Sequence, residues 1–167
     1  MNKLYMINIG GSTTYSNIEV HDILFVVAST IKETYDLVRE AWYGSKESLH
    51  IDSYKELISI DGYELDITNT KVNADKTGKL FMIIYGGHKP GEFSESHRIH
   101  FIVANTKNQA ESKANQELAR FKPMDHVDSV CDVQKVLLGE KGMITFKETN
   151  VAFDEVPDWN GYIKLYK

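Results

Sequence analysis

KLYMINIGGSTTYSNIEVHDILFVVASTIKETYDLVREAWYGSKESLHIDS, residues Lys3–Ser53, decides the fold, because the chain carries it twice. A shift of 76 positions lays Lys3–Ser53 on Lys79–Ser129 without a gap, and seventeen of the 51 pairs are identical. Composition alone would give roughly three. The identities cluster at Lys3-Leu4, Met6-Ile7, Gly10-Gly11, Glu19, His21, Ile23, Phe25, Val27-Ala28, Thr30, His50, Asp52 and Ser53. This is the pattern of a tandem duplication.

Each copy opens on a short apolar run, Leu4–Ile9 and Leu80–Tyr85, of the kind that suits a strand covered on both faces. Each run ends in a glycine pair, Gly10-Gly11 and Gly86-Gly87, which predicts a sharp turn or a close approach. Next comes a stretch that differs between copies, as a surface loop would. A second strand follows over Glu19–Ala28 and Glu95–Ala104. Its period of two puts Glu19, His21, Ile23, Phe25 and Val27 on one face, matched by Glu95, His97, Ile99, Phe101 and Val103. That shared face is expected to be the core of each half. The opposite face of the first copy, with Ile18, Val20, Asp22, Leu24 and Val26, reads as half covered, and its apolar excess needs a cover from the other half, the C-terminal tail or a second subunit.

A helix follows in each copy. Thr30-x-x-Glu33 and Thr106-x-x-Gln109 are capping-box patterns, and both helices carry one apolar stripe. The stripes are Ile31, Tyr35, Val38 and Trp42 in the first and Ala110, Ala114, Leu118 and Phe121 in the second, with Gly44 and Pro123 as stops. After the helix comes His-x-Asp-Ser and a strand pair. In the first half Tyr54–Ile60 and Tyr63–Ile67 flank a hairpin turn at Asp61-Gly62. In the second, Asp132–Leu138 and Met143–Lys147 flank a turn with Gly139 and Gly142. The tail has no counterpart. Its Ile163–Tyr166 reads as a last strand after a turn at Asn160-Gly161, with Trp159 as an anchor.

The expectation is therefore an α+β protein of two tandem β-β-α-β-β repeats, packed with pseudo-twofold symmetry. A grasp-like roll is the first choice for each unit and a ferredoxin-like two-layer arrangement the second. The divisions are 1–70 for the first repeat, 71–78 for a linker, 79–147 for the second repeat and 148–167 for an extension packing on the body.

With these motifs in place, the chain resembles a bacterial family of small proteins catalogued as the domain-of-unknown-function family numbered 1543. The resemblance rests on the apolar strand ending in Gly-Gly, the variable loop, and the acidic-x-His stretch running into Phe-Val-Val-Ala or Phe-Ile-Val-Ala. These are Leu4–Gly11 with Glu19–Ala28, and Leu80–Gly87 with Glu95–Ala104. The resemblance implies one or two such domains per chain. It brings no established activity, cofactor or catalytic residue.

Bulk composition narrows the classes. The net charge is −5, with 19 Lys and Arg against 24 Asp and Glu, so a nucleic-acid partner is not expected. One cysteine, Cys131, allows no internal disulfide, and no long apolar span is present, so the expectation is a cytoplasmic, non-membrane protein. Cys131 reads as buried filler, and Trp42, Tyr43, Tyr54 and Tyr63 as core and hairpin packing.

The most specific polar signals are Glu19-x-His21, Glu95-x-His97, His50-x-Asp52 and His126-x-Asp128. On a strand, residues two apart share a face, so each pair can address one ligand. The plainer reading is structural hydrogen bonding within turns and loops. The chemical one is a divalent metal, or a small molecule handled by an oriented histidine. No catalytic residue is assigned and no cofactor is expected beyond that metal. Two functions follow. The first is a non-catalytic binding or interaction module, self-associating or using a protein partner through the apolar face of the first half or the groove between halves. The alternative is a metal- or small-molecule-dependent enzyme using the Glu-x-His pairs.

Overall fold

The computed structural model describes residues 2–68, 78–119, 125–139 and 142–166. Most of the expected linker, as well as Phe121 and Pro123, lies outside the described residues. The first half builds β1 (Lys3–Gly11), β2 (Val20–Ala28), α1 (Thr34–Ala41) and β3 (His50–Glu56). A short hairpin, β4 (Ser59–Ile60) and β5 (Tyr63–Thr68), follows. The second half builds β6 (Lys79–Gly87), β7 (Ser96–Ala104), α2 (Lys107–Leu118) and β8 (Asp125–Asp132). The remainder is α3 (Val133–Val136), β9 (Leu138–Gly139), β10 (Met143–Glu148) and β11 (Trp159–Lys164). The mixed α+β class is as expected. No helix among the described residues is long and apolar enough to cross a membrane.

In both halves the first strand lies between the other two. The orders are β3-β1-β2 and β8-β6-β7, all antiparallel. The registers correspond residue for residue: Lys3 faces Ala28 as Lys79 faces Ala104, and Tyr5 faces Glu56 as Phe81 faces Asp132. Even the irregularity corresponds. Pairing slips between Asn8 and Ile9 in one half and between Ile84 and Tyr85 in the other. Asp52 and Asp128 are the extra residues of these two β-bulges. A bulge flips the phase of everything beyond it. Ile51 and Tyr54, three apart, thus both face the α1 core, and Val127 and Val130 both face the α2 core.

The core has three layers. Tyr5, Ile7 and Ile9 pack with Val26, Val38 and Trp42 beneath α1. Phe81, Ile83, Tyr85, Ile102, Ala110 and Ala114 pack beneath α2. Between the sheets, Leu4, Phe25 and Val27 join their counterparts Leu80, Phe101 and Val103, together with Leu57, Ile60, Leu65 and Ile144. Phe25 meets Phe101 edge-on at 6.1 Å. Each fully buried side chain of this size stabilises by about 1.5–3 kcal/mol.

This revises the expected use of the β2 faces. The face common to both copies joins the halves, and the face special to the first copy is the one its own helix covers. Val20 and Leu24 are partly buried and pack against the α1 cluster, while Ile18 of the same face stays exposed. The reason is geometric: a helix can cover only one face of a sheet, and the second sheet takes the other.

Further expectations are revised by pairing across the halves. Asp132–Leu138 is not a strand, since β8 ends at Asp132 and α3 follows. β9 then runs parallel to β2 of the first half, and β10 pairs with β5 rather than with a neighbour in its own half. Tyr54–Ile60 is split by Leu57-Ile58 into β3 and β4. The Asp61-Gly62 turn is present, with both residues at positive φ (51° and 78°), as a two-residue hairpin needs. Asn160-Gly161 lies inside β11 as an irregularity in its pairing with β3, and is not a turn before it. Trp159 does anchor this strand, stacked on Tyr54 at 5.9 Å. Thr106 caps α2 by accepting from the Gln109 N–H. Thr30 makes no such bond, and a 3-10 turn (Ile31–Glu33) precedes α1. Trp42 is buried as expected, whereas Tyr43 is exposed. Cys131 is partly buried in β8, and burial pushes its thiol pKa up.

Candidate functional site

Gly10 occupies the centre of a row across the first sheet, with His21 opposite on β2 and His50 opposite on β3. The same row in the second sheet is His97, Gly86 and His126. The glycines lie within strands and have no positive φ, so the expected sharp turn is not their role. Space is. A Cβ on Gly10 would stand 2.7 Å from His50 Nε2 and 2.9 Å from the His21 ring. A Cβ on Gly86 would stand 2.6 Å from Glu95 Oε1 and 2.8 Å from His126 Nε2. The missing side chain lets two imidazoles lean together over the middle strand.

Two carboxylates close the group. Glu19 precedes β2 by one residue, two before His21, and Asp52 is the bulge residue of β3. His21 Nε2 lies 3.8 Å from Glu19 Oε2 and 3.2 Å from Asp52 Oδ2. His50 Nε2 lies 3.5 Å from Glu19 Oε1 and 3.2 Å from Asp52 Oδ1. The four predicted residues of the first half therefore form one cluster. In the second half, His97 Nε2 lies 3.7 Å from Glu95 Oε2 and 3.6 Å from Asp128 Oδ2, and His126 Nε2 lies 3.4 Å from Glu95 Oε1. The remaining four predicted residues form a second cluster. Sequence reasoning paired residues along each strand. The pairing across strands depends on the register and the bulge, which neither motif contains.

His50 is the informative member. Its side chain is 1% exposed. Its Nδ1 lies 2.8 Å from the Ser48 carbonyl oxygen, which places a proton on Nδ1 and leaves Nε2 with a lone pair in the neutral ring. Nε2 makes no hydrogen bond although carboxylate oxygens lie close, and neither does Asp52 Oδ2. A lone pair facing carboxylate lone pairs is repulsive unless a proton or a cation sits between them. A structural hydrogen-bonding role, the plainer expectation, accounts for Nδ1 and not for Nε2.

The spacing fits a metal. Tetrahedral coordination at about 2.0–2.2 Å separates neighbouring ligand atoms by roughly 3.3–3.6 Å. The four contacts of 3.2–3.8 Å bracket that range. One ligand atom each from Glu19, His21 and His50 can be chosen within 4.8 Å of the others. The Nδ1 bond to a backbone carbonyl is the usual orienting contact of a metal-bound histidine. Tyr162 of β11 stacks on the outer face of His50 at 4.1 Å and 26°, shielding it from water. The tail, read from the sequence as a last strand packing on the body, thus supplies one wall of the site.

Comparison with known proteins bears on the same segment. Residues 16–67 match the family described as Domain of Unknown Function (DUF1543). This bears out the resemblance read from the motifs, and the matched residues include Glu19, His21, His50 and Asp52. The chain is also similar to a crystal structure titled as a protein Il1583 from Idiomarina loihiensis. Identity is 28%, coverage is 100% of both chains, and the TM-score is 0.75. No curated protein matches the chain.

Proposed function

We propose that the protein is a binding module for a divalent transition-metal ion, held in the first half by Glu19, His21 and His50 with Asp52 as the fourth donor. Two imidazoles and two carboxylates suit zinc and its neighbours better than calcium or magnesium, which take oxygen ligands. The observation that carries this reading is the buried Nε2 of His50, aimed into the cluster without a hydrogen-bond partner. The duplicated architecture belongs to the same reading. Matching registers and bulges, and Phe25 against Phe101, support one ancestral unit present twice and packed about a pseudo-twofold axis.

The test is zinc titration of chelator-treated protein against a chromophoric chelator, for the wild type and His21→Ala. Loss of the tightest site in the variant is the expected result. Equal affinity in the two proteins would overturn the reading. Because the ligands must shed protons to bind, affinity should also fall as the solution is acidified.

A second reading, a metal-dependent enzyme, draws on a separate observation. A cleft of about 230 Å³ lies against the next row of the same face, lined by Asn8, Ile23, Ser53 and, from the second half, Ile99. Glu19 and His21 are half exposed, so an ion there would keep a side open to a small molecule from this cleft. Metabolites that raise the melting temperature only of the metal-loaded protein would favour this reading.

A further inference from the structure

The second cluster is not a weaker copy of the first, because a residue private to the second half joins it. His88 stands where the first half has Ser12, and its Nδ1 lies 3.8 Å from Glu95 Oε1. Glu95 is thus approached by three imidazoles: His88 and His126 at Oε1 and His97 at Oε2. Oε1 is itself buried and makes no hydrogen bond, although two imidazole nitrogens lie within 4 Å of it. All three separations, 3.4–3.8 Å, are measured from Glu95. Among the described residues only Glu19, His21 and His50 bring three ligand atoms within 4.8 Å of one another, so the donors of the second cluster have to draw together around an ion.

The surroundings differ from those of the first cluster. β3 is covered on its outer edge by β11, whereas among the described residues β8 is the edge strand of its sheet. His126 is 51% exposed where its counterpart His50 is 1% exposed. His88 and His97 are similarly half in water. Rings so exposed lose rotamer freedom when they bind, and water competes for the ion. The three imidazoles are half in water while Glu95 is more enclosed, so the arrangement favours exchange over retention.

We propose that Glu95, His88, His97 and His126 form a second, imidazole-rich site that takes a divalent transition ion reversibly. Three nitrogens and one carboxylate select zinc, nickel or copper over magnesium and calcium. The chain then holds two ions of unequal lability, one enclosed and one exchangeable. This extends the metal-binding reading of the first half, and one experiment separates them.

Full-length protein freed of metal is titrated with Zn²⁺ against a chromophoric chelator, with His88→Ala and His21→Ala run alongside and Mg²⁺ in excess as competitor. His88 is an exposed loop residue, so its loss should leave folding intact, which circular dichroism checks. Two sites are expected in the wild type. His88→Ala should weaken only the weaker site, by roughly tenfold or more. His21→Ala should weaken only the tighter one, and Mg²⁺ should displace neither ion. A His88→Ala titration identical to wild type, or displacement of the weaker ion by Mg²⁺, would overturn the second site and leave the first untouched. Two sites surviving His21→Ala, with one lost in His88→Ala, would overturn the first and leave the second standing.

Discussion

The two histidine–carboxylate clusters share their residue types, their register and their bulge, and differ in what lies outside them. In the first, β11 adds a strand beyond β3 and brings Tyr162 onto His50. In the second, β8 ends the sheet among the described residues and His126 faces water. One sequence pattern thus yields an enclosed site and an open one, and the tail makes the difference. The helix faces of the two sheets diverge in the same way. Ile9 and Leu24 in the first half correspond to Tyr85 and His100 in the second, which share Glu117 as a partner.

The comparison can be tested first at the point where the halves meet. Phe25→Ala and Phe101→Ala should each cost about 3–5 kcal/mol in denaturant melts. Because the rings touch, the double variant should cost clearly less than the sum. Full additivity would mean that the halves do not depend on this contact.

The glycine rows come next. Gly10→Ala drives a methyl against the enclosed His50, which has no room to move, and should weaken zinc binding about a hundredfold, or about 2.7 kcal/mol. Gly86→Ala meets Glu95 and His126, of which the half-exposed His126 can turn outward, and should weaken its site by about tenfold or less. Equal losses would mean that the two sites are equally rigid.

A pH titration probes the helix faces. Burial, and then the carboxylate of Glu117, pushes the Tyr85 phenol up to about 12, from an ordinary value near 10. Since the folded value is the raised one, the neutral phenol favours the folded state fully below about 10, and that advantage is lost as pH rises through the folded value. Stability should therefore decline across the alkaline range, and Tyr85→Phe should remove the highest phenol titration seen by ultraviolet absorbance. Ile9, at the matching position, carries no such group, although burial also pushes the Tyr5 and Tyr35 phenols of the first half up.

The smallest difference lies at the helix caps. Thr106→Ala should cost about 1 kcal/mol, since it removes a cap bond, while Thr30→Ala should change thermal stability by no more than a few tenths. Equal costs would show that the 3-10 turn before α1 depends on Thr30 after all.

Much of this was legible in the chain. Strands β1, β2, β6 and β7 and the stripes of α1 and α2 follow from period and offset. The Asp61-Gly62 turn was readable because its backbone angles suit few other residue pairs. The eight polar residues of the two clusters stood out because the same polar types recur at the same offsets. The glycines were found for the wrong reason: a local rule proposes a turn, whereas the demand for space comes from rings on two other strands. The short elements after β8 were misread because their partners lie in the other half. A run such as Asp132–Leu138 is apolar whether it becomes a helix or a strand.

By itself the sequence determined the α+β class and the residue types at each cluster, since these rest on local periodicity and on comparing the chain with itself. Only the tertiary structure decided which face of β2 joins the halves, which imidazole meets which carboxylate, and which cluster is shielded from water. Those outcomes depend on register, on one extra residue in β3 and in β8, and on a tail strand that docks on a single edge. Contacts between segments far apart in the chain fix all three, and no window of sequence contains them.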